Sequence, residues 1–461
     1  MSDLKINGPF RIDAHPDVEI WEASSESERS YSCVALCRRS WTYDWPALGG
    51  TRWIHVDHGS FDAARGVALK EAARLAEAMR NKNKLLQRAE DELRATDSRW
   101  EGRSPSFGWQ GGKGVTLTTK SGDWLTPTRL MNHGFLVERL NGAYYASEDQ
   151  GVGKGELRWI ARATRFNVGL GCGMDTGDAT AVGVLSAIYE GALREGLIAD
   201  GSIQREEMLA PDCPPVFEGL TIIVIGAGKV GLPLIGHLVQ RRARCFVFDP
   251  QLNRQGVKNF FQGTRDRGAA VDSTHAAILA ELERDGRLIR SEREALSLKE
   301  AHILSPNGGA TDWLRREIEA GCSAAEYLAQ QKASRHGKLT LIAGAGNAQL
   351  VDDPAVKGDA ECLLRPLSRE GIQWIPDPIV SPGGVIAVSH EQKDSWVASN
   401  VRSDSYDIVK QNVAKLYDGA SKTGRGGALG LYEAFQVRLQ SEAIASASAE
   451  RAGGEPSLHG L

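Results

Sequence analysis

The stretch "TIIVIGAGKVGLPLIGHLVQRRARCFVFDP", residues 221 to 250, constrains the fold of this chain more than any other segment. Thr221 to Ile225 is a short β-branched run of the kind that forms a parallel strand buried on both faces, and Lys229 to Arg241 carries apolar residues at helical spacing. Gly226, Gly228 and Gly231 punctuate the junction, with Lys229 and Val230 completing the loop. In a dinucleotide-binding unit the first glycine permits the tight turn, the second lets the backbone approach the pyrophosphate, and the third lets helix and strand pack closely. The helix N-terminus then offers free N–H groups to the phosphates. A second strand, Arg244 to Phe248, ends in Asp249, where an acidic side chain accepts hydrogen bonds from the adenosine ribose diol. A carboxylate there repels a 2′-phosphate, so the stretch predicts NAD as cofactor in preference to NADP.

The rest of the chain supports an α/β protein of two lobes. From 220 to about 390, β-branched segments alternate with helices ("AHILSP", "LTLIAGAG", "IQWIPDPIV"), which predicts a doubly wound, Rossmann-type sheet in a lobe spanning 179–404. Before it, residues 1–178 form a separate α/β lobe, with strand character in "SCVALCRRS", "TRWIHVDH" and "GVTLTT" and a helix over 60–83 capped by Ser60. Residues 1–30 are polar and read as an irregular extension or edge element; eight of the 11 tryptophans precede residue 160, which sets this lobe apart. "ATAVGVLSAIYEGALREGL" is an apolar helix suited to linking the lobes, residues 275–300 read as a charged helical elaboration, and helices from about 405 can pack back on the first lobe. The last 35 residues read as a flexible tail.

Composition removes several function classes. A net charge of −4 and a pI near 6.2 give no basic footprint for nucleic acid. No apolar run of membrane-spanning length and no signal-like start occur, and seven cysteines without a CxxC pair read as reduced thiols, so a cytoplasmic protein is expected. His55 and His58 have the spacing of metal ligands but no third partner, so no metal is assigned. "GGKG" fails as a phosphate loop, because Phe107 stands at the first required glycine and Gly114 at the required Ser or Thr. Reactive groups should reach the cofactor from the first lobe across a cleft. Lys82 in "AMRNK", Lys113 in "GGKGV" and Asp149 in "SEDQG" are the local patterns that stand out there, although each taken alone looks like an ordinary solvated charge.

Together these patterns form a series: "PALGGTRW" (46–53), "AMRNK" (78–82), "GGKGV" (111–115), "SEDQG" (147–151), "ATAVGV" (179–184), "GAGKVG" (226–231), "HILSP" (302–306), "AGAGNAQL" (343–350) and "PDPIVSPGGVIAV" (376–388). In this order they resemble the glutamate, leucine, phenylalanine and valine dehydrogenase family, nearest its leucine and phenylalanine branch, over about residues 15–440. The resemblance implies NAD-dependent oxidative deamination of an L-amino acid to a 2-oxo acid and ammonia, with reductive amination in reverse. It implies that Lys82 holds the substrate carboxylate, that Lys113 polarises the carbonyl or activates water, and that Asp149 passes protons at the amino nitrogen. Leu48, Gly49, Met79 and Val388 would line the substrate pocket, Thr180 and Asn347 would face the nicotinamide, and Ser305 and Pro306 would lie along its ribose. In the glutamate branch a Lys at the place of Leu48 and a Ser at the place of Val388 bind the side-chain carboxylate. Here both are aliphatic, so an apolar or aromatic substrate is expected. A homo-oligomer, dimer or higher, is expected as well.

The chain departs from the pattern at Ala348, where a second Asn is usual, and at Ser381 and Pro382, where Asn and Ala are usual. All three fall near the expected nicotinamide. Two other readings therefore stand beside the first: a reductive aminase or imine reductase of specialised biosynthesis, and a non-catalytic nucleotide-binding homologue. Retention of two lysines and an acid, costly in a dry cleft, favours the dehydrogenase.

Overall fold

A computed structural model describes residues 3–37, 46–56, 60–101, 108–119, 124–171, 175–199, 203–266, 271–308, 312–346, 348–350, 358–392 and 397–440. The first lobe is built on a six-stranded mixed sheet. Its strands are β1 (Lys5–Ile12), β2 (His15–Ser25), β3 (Ser30–Cys37), β4 (Ala47–His55), β5 (Gln110–Thr118) and β6 (Tyr144–Glu148), in the order β1-β2-β3-β5-β4-β6. The first three and β5 pair antiparallel, whereas β4 runs parallel to both β5 and β6. Every residue of β3 is buried, as its unbroken small and apolar sequence requires of a central strand. Helix α1 (Phe61–Thr96) covers one face, and α2 (Pro127–Arg139) with the Lys154–Ala161 helix covers the other.

Within residues 1–30, read as an irregular extension or edge element, Lys5–Ile12 and His15–Ser25 form the regular strands β1 and β2, and β1 is an edge element of the sheet. β1 is an edge strand with mostly exposed side chains and two register shifts against β2, so its sequence carries no clean alternation. Helix α1 starts at its predicted cap, where Ser60 accepts from the Ala63 N–H, but it runs to Thr96 because Leu85, Leu86, Ala89 and Leu93 keep the apolar stripe going past the polar "RNKNK".

The second lobe holds five parallel strands, β7 (Thr221–Ile225), β8 (Arg244–Phe248), β9 (Ile303–Pro306), β10 (Leu341–Ile342) and β11 (Gln373–Trp374), in the order β11-β10-β9-β7-β8. A single-residue parallel bridge between Leu288 and Val247 stands where a doubly wound sheet has its third strand. Ile222 and Val224 point into one apolar layer and Ile223 and Ile225 into another, so β7 is buried on both faces. Its crossover is α4 (Gly231–Gln240), and between the lobes lies α3 (Thr176–Arg194), buried from Gly177 to Ala192 and apolar on all sides.

Two C-terminal helices close around α3, α5 (Gly383–Gln392) and α6 (Ala398–Thr423), and α7 (Gly427–Gln440), within the stretch read as a tail, packs on α6. They also reach the first lobe, where Asn412 donates to the Leu85 carbonyl and Arg438 pairs with Glu92 of α1. The crossing of α3 and α5 is tight, since a Cβ on Gly383 would lie 2.2 Å from the Ala179 carbonyl oxygen. Backbone bounds both sides of that contact and cannot yield. Gly383→Ala is expected to destabilise the protein by about 1–3 kcal/mol, the usual cost of overpacking. A denaturation midpoint equal to that of the parent would refute this packing.

Candidate active site

Period-two geometry assembles the site. Leu48 and Arg52 of β4, Trp109 and Lys113 at β5, and Tyr145, Ser147 and Asp149 of β6 and its following turn alternate on the sheet face toward α1. Gly50 lies between β5 and β6 on that face, and a Cβ there would come within 2.6 Å of the Asp149 Cβ. Its bare backbone leaves room for Lys113 to cross the strand, and Lys113 Nζ donates to Asp149 Oδ2 at 2.5 Å. The turn that carries Asp149 is fixed by reciprocal backbone hydrogen bonds with Val152 and by the Trp53 N–H, which donates to the Gln150 carbonyl.

Burial governs the titration of this group. It drives Lys113 down to about 8; Arg52 and Lys82 push the same way, and Asp149 pulls back. Burial opposes ionisation of Asp149, yet Lys113 and Arg52 outweigh it and hold the carboxyl well below the usual carboxylate range. Lys82, buried on α1, is also lowered by desolvation, against the pull of Asp377 and Asp149. Asp377 lies in the second lobe and is raised by burial, although Lys82 and the Ala348 and Gln349 N–H groups favour its charged form.

Leu48 and Val388 are buried in one apolar cluster with Trp109 and Val168, and Met79 and Tyr145 pack against it. The Trp109 indole donates to Ser389 Oγ at 2.8 Å, tying the first lobe to α5. Gly49 faces the other way: a Cβ there would overlap the Gly112 carbonyl, and its own carbonyl accepts from the Tyr144 hydroxyl.

At the second lobe the three glycines of the loop each meet the demand their position makes. Gly226 has φ +88° in the turn, Gly228 borders open space, and a Cβ on Gly231 would stand 1.8 Å from the Gly226 carbonyl oxygen. Asp249 Oδ2 accepts from the Ala227 N–H at 2.9 Å, which places the carboxylate at the loop. Val230 precedes α4, and Lys229 reaches across the cleft, its Nζ 2.7 Å from Glu148 Oε2 and 3.3 Å from Asp175 Oδ1. Ser305 and Pro306 end β9 beside this loop, with Ser305 Oγ accepting from Asn307. Thr180 is buried on α3 and its hydroxyl donates to the Thr176 carbonyl. Asn347 and His58 lie outside the described residues; His55 Nδ1 lies 3.0 Å from Thr118 Oγ1, and among the described residues no cluster of metal-ligating side chains occurs. No helix among them is long and apolar enough to cross a membrane. Arg52, Glu148, Asp175 and Asp377 are partners that the sequence pattern did not single out.

Fold and site together define a two-lobed α/β protein whose Rossmann-type lobe faces a buried Lys–Asp pair on its neighbour. No family model matches the chain. It is similar to valine dehydrogenase from Streptomyces coelicolor, at 25% identity over 379 residues covering 81% of this chain and 77% of that one. It is equally similar to phenylalanine dehydrogenase from Bacillus thermotolerans, at 25% identity over 422 residues covering 88% and 85%. In fold it resembles L-tryptophan dehydrogenase from Nostoc punctiforme (TM-score 0.54, 19% identity, covering 90% of this chain and 94% of that one). It also resembles the hetero-hexameric glutamate dehydrogenase of Thermus thermophilus (TM-score 0.57, 19% identity, covering 93% and 86%). The chain is thus similar in sequence to valine, phenylalanine and leucine dehydrogenases and in fold to tryptophan and glutamate dehydrogenases.

The departure at Ala348 has a backbone consequence. Ala348 adopts φ +52°, a left-handed conformation that Asn visits readily and Ala does not. Asp377 holds it there by accepting its N–H, and the Asp312 N–H donates to its carbonyl. Ala348→Asn should therefore stabilise the protein by about 0.5–1 kcal/mol, read as a higher urea midpoint. A lower midpoint would show that the side chain, not the backbone, decides this position.

Proposed function

We propose that this protein is an NAD-dependent dehydrogenase of an apolar or aromatic L-amino acid, forming the 2-oxo acid and ammonia. The observation that carries the proposal is the buried Lys113–Asp149 pair with Lys82 electrostatically coupled to it, opposite a glycine loop shaped for a diphosphate. Gly226, Gly228 and Gly231 fit the dinucleotide backbone and Asp249 fits its adenosine ribose, with Thr180, Ser305, Pro306 and Asn347 assigned to the nicotinamide side. When bound, the nicotinamide supplies the acceptor for the hydride leaving Cα.

The chain's own groups do the rest. Among the described residues no carboxylate forms an ion pair with buried Lys82, on which Asp377 and Asp149 act only through their charge, and an arriving α-carboxylate supplies a direct partner. Lys113, held near 8, is partly neutral at physiological pH and can take a proton from water attacking the imine carbon. As Lys113 discharges, Asp149 loses the cation that it touches most closely, and its readiness to accept a proton from the amino nitrogen rises. The two titrate as a pair. Leu48, Met79 and Val388 offer the substrate side chain an apolar wall, against which an ionised carboxylate would lose water without gaining a partner. Homo-oligomeric assembly belongs to the same proposal, supported by the exposed edge strand β1.

Four measurements test this reading. Lys113→Ala and Asp149→Asn should each lower kcat by on the order of 10² or more with NAD affinity nearly intact. For the parent, kcat/KM of deamination should rise with pH through about 8, because the neutral amine is the active form and its population grows above that value. Near-normal mutants, or a profile falling over that range, would refute the roles. In a substrate panel, leucine, valine, phenylalanine or tryptophan should exceed glutamate, and Leu48→Lys should gain activity on glutamate. Titration should show tighter NAD than NADP binding, because the Asp249 carboxylate repels a 2′-phosphate. Glutamate as best substrate, or NADP as the tighter ligand, would sink the respective assignment.

A further inference from the structure

Arg52 is buried on β4 in the "GGTRW" stretch, and the reaction outlined above gives it no part. Its guanidinium is a strut between two carboxylates. Nε donates to Asp149 Oδ2 at 2.9 Å and Nη1 donates to Glu71 Oε1 of α1 at 3.0 Å. Glu71 is braced in turn by Arg74 Nη2, 2.6 Å from its Oε2. The oxygen that Arg52 holds is the one that Lys113 holds from the other side. No described residue donates to Asp149 Oδ1.

We propose that Arg52 is a positioning residue of the reaction: it clamps Asp149 Oδ2 against Lys113 so that Oδ1 alone faces the substrate nitrogen, and its permanent charge governs the protonation of the pair. The proposal rests on the amino acid dehydrogenase reading. Its geometric half needs an arginine, because only a planar guanidinium presents Nε and Nη1 to two carboxylates in a fixed relation. A lysine at this position keeps the charge and loses the fork. Its electrostatic half follows from what surrounds the pair. Asp149 is faced by Lys113 of β5, Arg52 of β4 and Lys82 of α1; Lys113 by Asp149, Arg52 and Lys82; and Lys82 by Asp377 of the second lobe as well. Glu71 and Arg74 stand behind Arg52 on α1. Removing one cation from this set favours protonation of both Asp149 and Lys113, and so moves both titrations upward. The working amine and carboxylate then form only at higher pH.

The variants Arg52→Gln and Arg52→Lys separate the two halves, and Arg74 remains to pair with Glu71 in both. In Arg52→Gln the rising limb of kcat/KM against pH should move upward by about 1–3 units, the range expected for loss of an opposite charge within a few ångströms. Its NAD dissociation constant should stay within about twofold of the parent's, since the residue lies in the substrate lobe. In Arg52→Lys the limb should stay near its parental position, while kcat falls at least about tenfold because Oδ1 is no longer held in register. An unmoved limb in folded Arg52→Gln would overturn the electrostatic half. Should that variant fail to fold, Arg52→Lys decides the geometric half alone, and a parental kcat there would overturn it. A uniform loss of activity with unchanged pH dependence in Arg52→Gln, accompanied by a lower Tm, would mark Arg52 as structural only and would also overturn the proposal. Absence of amino-acid-dependent turnover in the unmodified protein would instead count against the underlying dehydrogenase reading, so the two failures are distinguishable.

Discussion

The burial of three cations on one face of one sheet is the constraint on which the rest of the first lobe depends. Arg52, Lys82 and Lys113 are all buried, and the carboxylates that answer them are Asp149, Glu71 and Asp377. Such groups lose hydration worth several kcal/mol each, and an apolar set of equal volume would often be more stable. Their geometry is accordingly over-determined. Parallel β5, β4 and β6 place Lys113, Arg52 and Asp149 on one face, α1 brings Lys82 and Glu71 onto it, Gly50 clears the path between Lys113 and Asp149, and the 149–152 turn is hydrogen-bonded to itself and to β4. A face that costs stability while holding one amine near neutrality has the character of a reactive site and not of a packing solution.

Besides the ties from α1 to the C-terminal helices, polar contacts from segments that border the cleft join the two lobes. Trp109 donates to Ser389 on α5, and Glu391 at the end of that helix accepts from the Gly169 and Gly171 N–H groups. Lys229 of the glycine loop stands against Glu148, the immediate neighbour of Asp149. A Cβ on Gly177 would lie 2.4 Å from the Lys229 carbonyl oxygen, so this loop also docks on the first turn of α3. The glycine loop and the turn that carries Asp149 are thus one ion pair apart.

How much of this was legible depended on whether a residue's role is encoded locally. Strand β7, its three glycines, α4, β8 and Asp249 were readable because the turn, the close approach and the buried strand each impose a residue type at a fixed place. In residues 1–30 the edge position was legible but the regular strands were not, because β1 has most of its side chains in solvent and its register against β2 is broken twice. Lys113 and Asp149 gained meaning only as members of an ordered series of motifs. Arg52 stood in plain view within "TRWIH", where it looked like any solvated charge on a strand. Its importance lies wholly in partners 19 and 97 residues away, a separation no local pattern encodes.

Asp377 shows how the three departures from the family pattern are accommodated together. Its two oxygens accept the Ala348 and Gln349 N–H groups, holding Ala348 in a conformation that alanine disfavours. The carbonyl of Asp377 accepts from both the N–H and the hydroxyl of Ser381, and Pro382, which follows, places its own carbonyl to accept from Val385 and Ile386 at the start of α5. The departures therefore sit around a single carboxylate. The backbone around them is held by these hydrogen bonds. That carboxylate also faces Lys82, the residue assigned to the substrate carboxylate, across the boundary between the lobes. Because burial raises the proton affinity of Asp377 while Lys82 and two N–H groups oppose it, its charge is tied to whether Lys82 is charged and near. The Ala348–Gln349 backbone and Lys82 are coupled through one buried acid, so a change that reaches either is felt by both.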